Sequence, residues 1–273
     1  MVAALALSLA LMANASTSAY LERAIERGVP LYNAGQPAAC AAVYATALEG
    51  IADGEGWGLD DEQRSNLSLQ LELTAAMNSP DDQAWAYRRL IDALMAGEAI
   101  AAPALADEQP LFDFSASDVT DRWRVVLDGV MGGRSTGQVA QQDNALVFTG
   151  ETSLRNNGGF SSIRALVPPG SLAGYDALRV KVKGDGRTWI LGANTNPGRR
   201  GSSFWHRFET VDGEWVTVTV PLSEMVRQYF GTPIPGTLQS SAVRGVEFYI
   251  YDKQAGDFRL EVAEIEAVRS GAS

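Results

Sequence analysis

A chain of 273 residues with 46 % hydrophobic and only 20 % charged residues holds enough apolar material for sizeable cores, which excludes a disordered chain, and its length points to two domains. The formal net charge is −11 and no basic run occurs, which excludes nucleic acid and anionic membrane surfaces as partners, because phosphate binding needs clustered Lys and Arg. That charge is uneven: residues 1–109 carry 5 Lys+Arg against 15 Asp+Glu, whereas residues 110–273 carry 17 against 18.

The chain starts MVAALALSLALMANASTSAY, an apolar run followed by small residues, with Ala13-Asn14-Ala15 and Thr17-Ser18-Ala19 as cleavage sites. This pattern predicts a secretory signal over residues 1–19, too short to span a bilayer, and export to the periplasm or beyond in a bacterium; the mature chain has no membrane span. No Lys or Arg precedes Arg23, so an apolar helix of a cytoplasmic protein is the alternative. The missing Arg also argues against a mitochondrial presequence.

Residues 20–97 read as a helical domain, with helical periodicity near 18–27, 36–52, 60–77 and 81–96. Asn78-Ser79-Pro80-Asp81-Asp82 is a start signal that places Pro and acids in a first turn, and Gly97 is a stop. Cys40, the single cysteine, excludes an internal disulfide and a multi-thiolate metal site, and reads as a buried small hydrophobe. The Ala/Pro-rich residues 98–110 have linker composition.

From residue 111 to 268 the period changes to two. Leu178, Val180 and Val182 alternate with Arg179, Lys181 and Lys183; Val216, Val218 and Val220 alternate with Thr217 and Thr219; Val246, Phe248 and Ile250 share one face. Strands near 145–149, 161–167 and 187–193, with a strand carrying Phe204, His206 and Phe208 and a closing one in DFRLEVAEIEAV, bring the count to seven or eight. That is the pattern of a β-sandwich of jelly-roll type. The segments GDGR (184–187) and VDGEW (211–215) read as hairpin turns.

Chemistry-bearing motifs are sparse. Gly133-Arg134-Ser135-Thr136-Gly137 matches G-x-S-x-G, but a nucleophile elbow needs a helix after the serine and later Asp and His partners; a turn and strand follow here, and His206 is the only histidine. His206 lies between two Phe and lacks the convergent partners a metal would need. No catalytic residue, cofactor or metal is expected. The polar groups of Asp128, Arg134, Asn156 and Asn157, in two glycine-rich loops (LDGVMGGRSTG and NNGGF), and the rings of Trp205, Tyr249 and Tyr251, phased opposite the apolar strand faces, are the candidate binding face. The two loops are expected to pack together at one end of the sandwich, with Val130 and Met131 tucked inward.

Trp123 to Ser135 (W-x-x-V-x-D-G-V-M-G-G-x-S), FTGETSLRNNGGFSSIR from Phe148 to Arg164, KGDGR from Lys183 to Arg187 and YDKQAGDFRLEVAEIEAV from Tyr251 to Val268 resemble, in order and spacing, the domain of the complex I intermediate-associated protein family. The resemblance covers residues 111–268. It implies a galactose-binding-like sandwich, a non-enzymatic protein and, in mitochondria, a role in assembling respiratory complex I, with no defined catalytic residue. The acidic helical half and the apparent signal depart from a mitochondrial assembly factor, and the domain also occurs in bacterial proteins. Two functions follow: protein–protein scaffolding, in assembly of an envelope or respiratory complex, or recognition of a glycan by a sheet face or loops.

Overall fold

The computed structural model describes residues 2–196, 202–229 and 231–269, apart from the side chains of residues 2–15, 130, 131 and 157. It divides into two compact units, Met1–Leu105 and Ala106–Ser273.

The first unit holds four helices, α1 Val2–Asn33, α2 Pro37–Asp53, α3 Asp61–Ala75 and α4 Pro80–Met95. Two of the starts are capped by side chains. Asp60 accepts the amide of Gln63 at 2.8 Å, and Ser79 accepts that of Asp82 at 3.2 Å with Pro80 in the first turn. α1 is longer than the periodicity alone suggested: it runs unbroken through Ala13-Asn14-Ala15 and Thr17-Ser18-Ala19, where cleavage is expected from the sequence, because no Gly or Pro interrupts the sequence before Gly28. Gly28 itself lets α1 approach α2, since a Cβ there would sit 2.4 Å from the Tyr44 ring. The helices bury Leu21, Leu48, Ile51, Leu67, Leu90 and Ile91. Cys40 lies in this core, where burial pushes its thiol above the ordinary value.

The segment with linker composition is not free along its whole length. Ile100 is buried in the helical core, Asn66 and Gln70 donate to the carbonyls of Ile100 and Ala101, and Glu108–Pro110 forms strand β1. An apolar side chain and an edge-pairing tripeptide, neither visible in the Ala/Pro composition, shorten the open part.

The second unit is the β-sandwich expected from the alternation. After β1 come β2 Trp123–Leu127, β3 Gln138–Gln142, β4 Ala145–Thr152, β5 Ser161–Leu166, β6 Ala177–Lys183, β7 Thr188–Asn194, β8 Ser203–Glu209, β9 Trp215–Pro221, β10 Val226–Tyr229, β11 Thr232–Pro233, β12 Gly245–Ile250 and β13 Gly256–Val268. One sheet has the order β3-β4-β13-β6-β9, with β1 on the C-terminal half of β13; the other has the order β11-β10-β8-β7-β12-β5-β2. Neighbouring strands are antiparallel throughout. The core lies between the sheets, with Phe148, Val180, Val182, Leu260 and Val262 from the first meeting Ile163, Trp189, Leu191 and Phe248 from the second. Phe148 and Trp189 touch edge to face across it at 6.0 Å.

The turns at GDGR and VDGEW are not hairpins. Each carries the chain from one sheet to the other, β6 to β7 and β8 to β9. The corners lie side by side through a bridge between Gly184 and Asp212. Gly186 (φ 78°) and Gly213 (φ 69°) supply the left-handed residues both kinds of turn require, so their composition alone cannot separate a hairpin from a corner.

Candidate functional site

The glycine-rich loop between β2 and β3 is organised by a buried carboxylate. Asp128 is 1 % exposed; its oxygens accept the hydroxyl of Ser135 at 2.6 Å, the amide of Ser135 at 3.1 Å and the amide of Gly159, from the second glycine loop, at 2.7 Å. Burial opposes its ionisation, but these donors outweigh it and hold the carboxyl below its ordinary value. Side chains are excluded around it, since a Cβ on Gly133 would lie 2.2 Å from Asp128 Cγ and one on Gly158 would lie 2.5 Å from Oδ2. Asn156, left-handed at φ 57°, donates from Nδ2 to the Gly132 carbonyl at 2.9 Å. The two glycine loops therefore pack together.

The same end holds the other family-like segments. Ser135 Oγ accepts the amide of Ser153 at 3.0 Å, and the adjoining Thr152 donates to the Gln254 carbonyl at 2.7 Å. Arg187 donates to Thr152 Oγ1 (3.1 Å), to both oxygens of Asp252 (2.9 and 2.7 Å) and to the Gln254 and Asp257 carbonyls (2.8 and 3.0 Å). Asp185 accepts Trp189 Nε1 at 3.2 Å and the Arg259 amide at 2.8 Å. Two hydrogen-bonded sets, Asp128–Ser135–Ser153 and Thr152–Arg187–Asp252, are thus joined through the peptide link between Thr152 and Ser153. Together they tie four sequence segments into one cap on the sandwich. Ser135, which is buried and donates its hydroxyl to Asp128, is part of that cap.

The outer faces of the two sheets differ in kind. On the first, Arg179 pairs with Glu266 and Glu108, Lys181 with Glu264, and Lys183 with Glu261, which also takes Arg259. That is a solvated, self-neutralising ladder. The second outer face is aromatic. Phe160, Tyr251, Trp205 and Tyr249 form a row with successive ring separations of 6.2, 6.3 and 4.9 Å. Lys253 lies over the Tyr251 ring at 4.0 Å and Arg164 over Tyr249 at 5.2 Å.

Beneath the row lies a charge. Glu247 is 1 % exposed, accepting Tyr249 Oη at 2.7 Å and Asn194 Nδ2 at 3.1 Å, with Arg164 Nε 3.8 Å away. Gly192 pairs with Glu247 on one side and Trp205 on the other, and its missing side chain leaves the slot in which the carboxylate lies. Burial, and then the Glu247 charge, hold the Tyr249 phenol far above its ordinary value, so it remains a donor. The carboxylate is sealed under rings, and what this face offers a ligand is stacking and cation–π contact at half-buried Trp205 and Tyr251.

The sequence-predicted site residues separate into two places. Trp205 and Tyr251 share the aromatic row, half-buried, while Tyr249, expected to be exposed, is 5 % exposed because Trp205 and Arg164 cover it. Asp128 presents nothing to solvent. Arg134 and Asn156 are exposed at the capped end, and the side chains of Asn157, Val130 and Met131 lie outside the described residues. Sequence reasoning missed Phe160, Arg164, Asn194 and Glu247. The signal for Glu247 was its phase, since it alternates with Val246 and Phe248 and shares the face of Tyr249. His206 is half-buried, 4.0 Å from Glu224. Among the described residues no group of three His, Cys, Asp or Glu is arranged to hold a metal.

The family model described as Complex I intermediate-associated protein 30 matches residues 112–262. The mitochondrial complex I intermediate-associated protein 30 of Mus musculus is 22 % identical over 205 residues, 64 % of this chain, and the match spans 62 % of that relative's length. Among solved structures, a family 11 carbohydrate-binding module from Clostridium thermocellum in complex with a β-1,3-1,4-mixed-linked tetrasaccharide is 16 % identical, with a TM-score of 0.45, covering 61 % of this chain and 98 % of that one. The family 11 module of the cellulase Lic26A-Cel5E from the same organism gives a TM-score of 0.47 at 16 % identity, covering 61 % and 97 %.

Proposed function

The chain belongs to the complex I intermediate-associated protein 30 family, and from that premise we propose that it is a non-enzymatic binding and assembly module that takes a protein partner on the aromatic outer face of its second sheet. The observation that carries this reading is the contrast between the faces: one is covered by mutually paired charges, the other by a row of four rings over a sealed carboxylate. Interface cores are enriched in aromatic residues and Arg and depleted in free charge, as the second face is. The work of the module is scaffolding in the assembly of an envelope or respiratory complex, in an exported bacterial protein. The test is in-cell cross-linking and capture of the native chain alongside Trp205→Ala/Tyr251→Ala and Lys181→Ala/Glu264→Ala variants. Loss of a reproducible partner with the first pair and its retention with the second supports the reading; the reverse pattern, or an unchanged partner with both, overturns it.

A glycan is the second reading. It is supported by the half-buried Trp205 ring lying between Arg207 on its own strand and the Asn194–Glu247 pair. A glycan array with the intact chain tests it, and a binding signal lost on Trp205→Ala would favour a sugar over a protein partner.

A further inference from the structure

On the strands of the sandwich, Arg179, Arg207, Arg227 and Arg259 each donate to a protein oxygen. Two strand arginines do not. Arg164 on β5 makes no hydrogen bond among the described residues: its Nε is buried without a partner, and the Glu247 carboxylate stands 3.8 Å away, already taken by donors from Tyr249 and Asn194. Arg124 on β2 is exposed and has neither an ion pair nor a hydrogen bond among the described residues.

These two arginines lie directly opposite each other in the β2–β5 ladder, where Cβ atoms are about 5 Å apart and like charges repel. A cation on β2, the last strand of its sheet, is explained by itself as protection against edge-to-edge pairing. A second one facing it from the interior strand β5 is not. Arg164 is stacked over the Tyr249 ring at 5.2 Å, which holds the guanidinium without using its N–H groups. Two such planar groups side by side, with their donors unspent, have the geometry that grips a carboxylate.

Both belong to the aromatic outer face. The strand registers set Arg124, Arg164, Glu247, Gly192 and Trp205 in one row across the sheet. The arginine pair therefore marks one margin of the face, and the half-buried Trp205 lies three strand spacings from Arg164, about 14 Å. Resting on the reading that this face takes a protein partner, we propose that the partner is an acidic segment: Arg124 and Arg164 clamp one Asp or Glu carboxylate while an apolar side chain of the same segment covers Trp205 and Tyr251. An extended segment spans the distance in about four residues. Residues 110–273 carry 17 Lys+Arg against 18 Asp+Glu, so the sandwich as a whole does not repel such a segment, and the unanswered cations fix where and in which direction it lies.

The test pans a displayed library of random peptides against the full chain, with Trp205→Ala, Arg124→Glu and Arg164→Lys chains in parallel. Arg124 is exposed on an end strand, so Arg124→Glu should keep the wild-type circular dichroism spectrum and unfolding midpoint. Peptides enriched on wild type but not on Trp205→Ala report the aromatic face. These are expected to carry Asp or Glu about four residues from an apolar side chain, to bind Arg124→Glu about tenfold or more weakly, to bind Arg164→Lys more weakly because lysine lacks the fork, and to lose affinity as salt is raised. Face-dependent peptides without an acid, or acidic ones that bind either arginine variant as well as wild type, overturn the proposal and leave the protein-partner reading standing. The absence of any face-dependent peptide overturns both. Oligoglucuronate is titrated alongside: its binding in an Arg124-dependent manner, with no acidic peptide enriched, assigns the clamp to a sugar and likewise overturns the proposal.

Discussion

Asp128 and Ser135 close the glycine-rich loop on itself: the serine hydroxyl and amide both donate to the one carboxylate, which is 1 % exposed and also holds the amide of Gly159 from a second loop. Two segments separated by more than twenty residues are thus organised around one buried negative charge. Removing the charge should therefore be felt at both loops.

Asp128→Asn should lower stability by about 1–3 kcal/mol, because buried donors lose a charged acceptor. Ser135→Ala should cost less, and the double variant should fall short of the sum, since both act on one network. Gly132→Val should cost about 1–3 kcal/mol through strain, since Gly132 sits at φ 84°, while exposed Arg134→Ala should be close to neutral. Urea unfolding of the set checks the ranking; an Arg134→Ala loss equal to that of Asp128→Asn would contradict this account of the loop.

Acid should weaken the cap with a definite sign. The carboxyls of Asp128 and Asp252 are both held below their ordinary value of 3.8, in each case because hydrogen bonds overcome burial. A depressed folded-state value means that the stabilisation is complete above the unfolded value and is lost as pH falls through the folded one. Stability of wild type should be level in this respect above about pH 5 and should fall below about pH 4, with a shallower fall in Asp128→Asn. Unfolding free energy measured against pH gives the slope.

The two kinds of ion pair should respond differently. The side chains of Arg187 and Asp252 are largely buried, with exposures of 11 % and 4 %, and Arg187 also holds four backbone or side-chain oxygens, so Asp252→Ala should cost about 3–5 kcal/mol and Arg187→Lys should not rescue the forked geometry. Lys181 and Glu264 are exposed at 42 % and 49 %, and Lys181→Ala should change stability by no more than about 0.5 kcal/mol, the residual effect disappearing in high salt. Thermal unfolding at low and high salt separates the two.

Limited proteolysis should cut between residues 102 and 107, where the segment lies after Ile100 in the helical core and before the β1–β13 pairing. The stable C-terminal fragment should retain Glu108, which mass spectrometry of the first products will show. A fragment starting at Phe112 would mean that β1 does not hold.

If the chain is exported, processing should occur after Ala15 in preference to Ala19. Thr17 is 2 % exposed and donates to the Trp57 carbonyl at 3.0 Å, so a cut after Ala19 would remove a residue packed into the bundle. Sequencing of the mature N-terminus from native cells decides between them; an intact Met1 in the cytosol would contradict export.

By itself, the sequence determined the kind of each long element, the change of period after the helices and the family, because amphipathic period, caps and turn glycines are local properties written within a few residues. It also brought Trp205 and Tyr251 to one face by strand phase. What it left open was sheet membership. Alternation says which way Val180 or Trp215 faces but not which strand lies alongside, so corners at Gly186 and Gly213 looked like hairpins. The buried charge at Glu247 and the burial of Tyr249 were equally out of reach, since both depend on Asn194, Arg164 and Trp205 arriving from three other strands. The cap joining Asp128 to Asp252 needed the same assembly: its hydrogen bonds link residues up to about a hundred positions apart, and only the closing of two sheets over one core brings them within reach.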